Sequence, residues 1–129
     1  MTGTAGTALV WIFVAAIGGI GAVTRFVVDR QVNLRTASSF PFGTFVINIS
    51  GAWLLGFIGG LALGPHFALL AGTAFVGAYT TFSTWMLETQ RLTEERQLRH
   101  AVRNVVFSVA LGLTAAAVGL WMGQLVTLH

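Results

Sequence analysis

The sequence predicts an all-α integral membrane protein with four transmembrane helices, the third of them broken. Three observations lead there. The composition is 55% hydrophobic and only 9% charged, whereas about a quarter of the residues of a soluble domain are charged. Four apolar segments, at about residues 7–28, 42–63, 67–87 and 101–125, each come near the roughly 20 residues needed to cross a bilayer. The third segment carries Gly77-Ala78-Tyr79-Thr80-Thr81-Phe82-Ser83-Thr84-Trp85 at its centre. Such a run of hydroxyl, β-branched and aromatic residues is a poor stretch of regular helix. The chain of 129 residues is read as a single membrane domain, 1–129, with no stretch left to build a separate soluble core.

The first segment follows an N-terminus without basic side chains, and no small-residue cleavage pattern comes after it. It is expected to be a retained helix and not a signal peptide. It contains Gly18-Gly19-Ile20-Gly21-Ala22-Val23-Thr24-Arg25, in which Gly18 and Ala22 share a face and let another helix come close. Packing alone is enough to explain these glycines. Arg25 lies a few residues inside the expected helix end, where it either snorkels to the interface or lines a vestibule.

The second segment opens Phe42-Gly43-Thr44-Phe45-Val46-Ile47-Asn48-Ile49-Ser50-Gly51. Thr44, Asn48 and Gly51 fall on one helical face, and Gly56 and Gly60 form a GxxxG pair further along. Asn48 is the informative residue, because an amide deep in a span is costly unless hydrogen-bonded. It serves either as glue between helices or as an NH₂ donor pointing into a polar path. Gly64-Pro65-His66 then reads as a helix stop and restart.

In the third segment, a break frees backbone N–H and C=O groups. In lipid these are tolerated only when buried in protein or facing a cavity or an ion. Discontinuous helices of this kind recur at ion and substrate sites of transport proteins, so the break is expected to be the working part. The fourth segment carries Asn104, Ser108 and Gly112 in a narrow stripe. A serine in a span often bonds its own i−4 carbonyl; Ser108 gains weight because the second and third segments carry polar lines too.

Much chemistry is excluded. The formal charge of +3 and pI near 11.2 do not indicate nucleic acid, since there is no lysine and the seven arginines lie at segment ends, facing headgroups. There is no cysteine, and His66, His100 and His129 stand apart, so no metal-ligand spacing appears. Asp29 and Glu88 fall at the expected helix ends and Glu94 and Glu95 in a loop, which leaves no intramembrane carboxylate of the kind that relays protons in pumps. No nucleophile–base pair or phosphate loop is present, and the chain is read as not an enzyme. Neutral donors and aromatic rings remain. They suit an anion, because the edge of a phenyl ring is its positive part.

The chain resembles the Fluc/CrcB fluoride channels. The resemblance runs over nearly its whole length and rests on residues 18–25, on Pro41-Phe42-Gly43-Thr44-Phe45-Val46-Ile47-Asn48, and on Gly77-Ala78-Tyr79-Thr80-Thr81-Phe82-Ser83-Thr84. It implies an antiparallel dimer of the dual-topology type, with two fluoride pores. It also implies a central sodium ion, structural and not transported, held by the main-chain carbonyls of Gly77 and Thr80. Asn48 matches the pore asparagine, and Phe82 the first of two phenylalanines whose edges face fluoride. Thr81, Ser83 and Thr84 match a hydroxyl cluster, Ser108 joins a polar track, and Arg25 matches an arginine near the pore mouth. A fluoride pore must replace a tightly held water shell with closely placed donors.

Two features depart from the family pattern. Trp85 stands where the second phenylalanine belongs. Its indole offers an electropositive edge and an N–H, but it is bulkier: it is either a harmless swap or a narrowing of that position. The arginines are also one-sided. All seven lie in or beside the links joining the first to the second and the third to the fourth segment, which predicts those links cytoplasmic and both termini outside. A protein inserted both ways round needs no such bias, so the partner is expected to be either a second copy or an oppositely oriented paralogue. The expected function is passive fluoride export across a bacterial plasma membrane. The alternative is a non-conducting subunit in a heterodimeric channel.

Overall fold

The computed structural model describes residues 3–129, where all of its regular secondary structure is helical. Its helices are α1 (Thr4–Arg35), α2 (Phe42–Leu61), α3 (Pro65–Phe67), α4 (Gly77–Tyr79), α5 (Ser83–Glu94) and α6 (Leu98–Leu128), with a π-helical stretch, Ala68–Val76, between α3 and α4. Four stretches are long and apolar enough to span a bilayer: Thr4–Arg35, Phe42–Leu61, Pro65–Glu94 and Leu98–Leu128.

The helices outrun their apolar cores. The 32 residues of α1 extend about 48 Å at 1.5 Å per residue, well beyond a hydrocarbon layer of about 30 Å. Asp29, expected at a helix end, therefore lies inside α1, and Glu88 lies inside α5. Local bonding carries helix into the polar ends: Asn33 Nδ2 donates to Asp29 Oδ1 at 3.2 Å, and the Thr36 hydroxyl to the Val32 carbonyl at 3.0 Å. The links shrink accordingly. Between α2 and α3, Ala62 is left-handed (φ 51°), Gly64 has φ 104°, and Pro65 opens the next helix. Between α5 and α6, Arg96 is left-handed (φ 60°), with Gln97 N–H donating to the Leu92 carbonyl at 2.8 Å and Arg96 N–H to Thr93 at 3.1 Å, a Schellman closure.

The closest packing joins α2 to α6. A Cβ at Gly56 or Gly60 would overlap the Ala116 or Leu120 carbonyl, and one at Gly119 or Gly123 would overlap the Trp53 or Phe57 carbonyl. Small residues thus bring two backbones into direct contact, as expected of a membrane seam where apolar side chains gain little by leaving lipid. On the other side, α1 lies against the π-helical stretch, and Gly21 sits on the Phe75 carbonyl. Large apolar side chains such as Ile12, Phe13, Ile20 and Phe26 face outward, the arrangement of a surface solvated by lipid.

Candidate functional site

The helical path of the third span stops at Tyr79 and resumes at Ser83. Thr80 is extended, with ψ 162°. Side chains replace the backbone partners lost there. Asn48, from α2, uses both ends of its amide: Nδ2 donates to the Thr81 carbonyl at 2.8 Å, and Oδ1 accepts the Thr81 N–H at 2.9 Å. Thr81 Oγ1 in turn accepts the Thr84 N–H at 3.2 Å and donates to Thr84 Oγ1 at 3.1 Å, capping α5. The Thr80 hydroxyl turns back to the Val76 carbonyl at 3.0 Å. Ser50 Oγ meets the Tyr79 hydroxyl at 2.8 Å.

This exchange has a consequence for two carbonyls. In an unbroken helix, Gly77 C=O would accept from Thr81 N–H and Thr80 C=O from Thr84 N–H. Both donors are engaged elsewhere, by Asn48 and by Thr81 Oγ1. Gly77 is exposed, with open space where a side chain would be. The two carbonyl oxygens have the chemistry a hard cation such as sodium takes. Among the described residues, no group of three or more acidic or histidine side chains could hold a metal instead.

Beside the break lies an open groove of about 480 Å³, bounded by α2, the break, α5 and α6. Asn48, Thr80, Thr81, Phe82, Trp85 and Ser108 line it among apolar neighbours, and no charged side chain does. Phe82 is 69% exposed, so the chain does not cover its own ring. Phe82 and Trp85 meet at 77° with centroids 5.7 Å apart. Ser108 Oγ is buried with no partner. Gly51 brings α2 against the break, because a Cβ there would strike the Thr80 methyl.

Six of the residues singled out in the sequence are thus gathered on one groove, while Gly77, Ser83, Thr84 and Arg25 do not line it. Thr84 supports the cap, Ser83 is exposed, and Arg25 is half-buried on α1. The indole N–H of Trp85, read as a spare donor, is taken by the Asn104 carbonyl at 3.3 Å. Sequence reasoning missed Ser50, Thr89 and the hydrogen bond from the Thr44 hydroxyl to Glu88 at 2.6 Å. The face shared by Thr44, Asn48 and Gly51 was the available signal for the last.

The family model described as "CrcB-like protein, Camphor Resistance (CrcB)" matches residues 12–120. The chain belongs to the CrcB family. This CrcB chain is 66% identical over 120 residues to a protein of Mycolicibacterium paratuberculosis named fluoride-specific ion channel FluC 2, covering 93% of this chain and 98% of that one. It is 62% identical over 122 residues to the FluC 2 of Mycobacterium tuberculosis H37Rv, covering 95% and 97%. It is 46% identical over 123 residues to a FluC 1 of Leifsonia xyli, covering 92% and 90%. These relatives are named as ion channels and not as enzymes, in agreement with the reading of the sequence. The four spans and the family together make this CrcB chain a multi-pass membrane protein.

Proposed function

We propose that the chain is a subunit of a fluoride-selective channel of the bacterial plasma membrane, passing fluoride down its gradient and so protecting the cell from it. The carrying observation is the neutral groove, in which Asn48 is locked onto Thr81 beside Phe82 and an unpartnered Ser108 hydroxyl. Fluoride gives up a tightly bound water shell only to closely placed donors. The second N–H of Asn48, the Ser108 O–H and the Phe82 ring edge are such donors, and no fixed charge holds the ion too strongly to leave. The names of the bacterial relatives support fluoride as the ion.

The interrupted third span is the working element of this reading. The open side of the groove and the exposed Phe82 ring are closed by a second, antiparallel subunit. The Gly77 and Thr80 carbonyls are the groups that would hold a structural sodium ion between the two subunits. Its chemistry there is to neutralise carbonyl dipoles that no N–H reaches. Replacing sodium by a large organic cation is expected to lower the thermal midpoint of the purified dimer.

A second reading is favoured by the arginine asymmetry: the chain is the fixed-orientation, non-conducting half of a heterodimer. The paired names FluC 1 and FluC 2 among the relatives fit a family with paralogues. Liposomes containing only this chain decide between them. Fluoride efflux with chloride retained supports the first reading. Efflux that appears only when an oppositely oriented paralogue is added supports the second.

A further inference from the structure

We infer that Thr89 and Asn104 form a latch that pins the Trp85 indole against α6, and that this latch lets an indole stand in the groove without filling it. Three hydrogen bonds close a circuit on Trp85. Its Nε1–H donates to the Asn104 carbonyl at 3.3 Å. Asn104 Nδ2 donates to Thr89 Oγ1 at 2.8 Å. The Thr89 hydroxyl donates to the Trp85 carbonyl at 2.8 Å.

The directions are mutually required. Thr89 gives its only proton to a carbonyl, so its oxygen must accept, and only the NH₂ end of Asn104 can face it. The circuit also engages Asn104, which is 0% exposed. A buried amide there is costly unless bonded; its Nδ2 holds Thr89, while its Oδ1 is buried without a partner. Among the described residues, the bonds from Trp85 and from Asn104 are the two side-chain hydrogen bonds that cross from α5 to α6.

Trp85 lies one turn after Phe82, and both rings line the groove. An indole free to rotate would sweep the space in front of Phe82. Tied at its nitrogen, it stays crossed with Phe82 at 77° and acts as a wall. Its N–H is not a donor to a passing anion, and on α6 that role falls to the Ser108 hydroxyl, which has no partner. Thr89 and Asn104 are positioning residues, acting through Trp85.

The effect on flux rests on the fluoride-channel reading, and the test separates the two. Fluoride efflux from liposomes is compared for Thr89→Val and Thr89→Ser, each in the natural chain and in the Trp85→Phe background. In the natural chain, Thr89→Val is expected to slow efflux about tenfold, the scale of one buried hydrogen bond. Thr89→Ser, which keeps the hydroxyl, is expected to retain the natural rate. In the Trp85→Phe background, Thr89→Val has nothing left to release and leaves that background's rate unchanged. Equal losses in both backgrounds, or no loss in the natural chain, would overturn the latch.

A second readout needs no flux. In a chain carrying Trp11→Phe, Trp53→Phe and Trp121→Phe, the remaining indole N–H resonance is expected to move upfield on Thr89→Val and to return with Thr89→Ser. A resonance that stays in place overturns the latch. A natural chain that passes no fluoride counts against the channel reading, and the resonance then decides the latch alone.

Discussion

The α2–α6 seam and the break beside it solve opposite problems. At the seam both helices keep their backbone hydrogen bonds, and four glycines let them meet through shape. At the break the ladder is lost, and Asn48, Thr81 and Thr84 supply the missing partners atom by atom. In lipid no water can stand in for either. The seam is therefore limited chiefly by volume, with the Thr127 hydroxyl on the Gly60 carbonyl at 3.1 Å as a polar contact, whereas the break needs particular donors and acceptors as well as room at Gly51.

The sharpest way to break the comparison is to add volume at the seam. Gly119→Leu drives a side chain into the Trp53 carbonyl and is expected to cost about 3 kcal/mol or more, seen as loss of the folded species on size exclusion. At the break, the nearly isosteric Asn48→Leu keeps the volume and removes both bonds to Thr81. It is expected to slow fluoride efflux by about 100-fold, from roughly 3 kcal/mol of lost and orphaned hydrogen bonding, while the protein still elutes as a folded species.

Gly51→Ala tests the place where the two regimes meet. It crowds the Thr80 methyl and is expected to destabilise by about 1–3 kcal/mol. Thr80→Ser removes that methyl while keeping the hydroxyl, so the double variant should recover most of the thermal midpoint. The smallest effect belongs to Ser50→Ala and Tyr79→Phe, which delete two sides of one 2.8 Å contact. Each is expected to cost about 1 kcal/mol, and the pair together not much more than one alone.

Apolar length and composition made the four spans legible in the sequence, and the hydroxyl-rich run marked where the third is unusual. Asn48 was legible as a polar exception among Phe45, Val46, Ile47 and Ile49, but not which of its two readings holds: its amide bonds the Thr81 main chain, joining α2 to the third span. The helix ends were not: hydropathy registers where lipid stops, and α1 runs on to Arg35 through polar side chains that bond one another. The engagement of the Trp85 N–H was not legible either. A free and a bonded indole read alike in one dimension, and the partner is a main-chain carbonyl of α6 that leaves no mark in a residue pattern. The π-helical stretch was likewise invisible, since Ala68–Val76 is ordinary helix-compatible sequence.

That widened stretch sets which way the hydroxyls after it point. Each residue of an α-helix advances the azimuth by about 100°, so one amino acid gained or lost between Ala68 and Val76 would swing Thr80 and Thr81 away from Asn48. Along this span the chain length is therefore a constraint in its own right, beside the packing of its buried residues. Its exposed positions should accept substitutions more readily than the stretch accepts insertions and deletions, while the buried Gly72, Ala74 and Val76 stay small or fixed in shape.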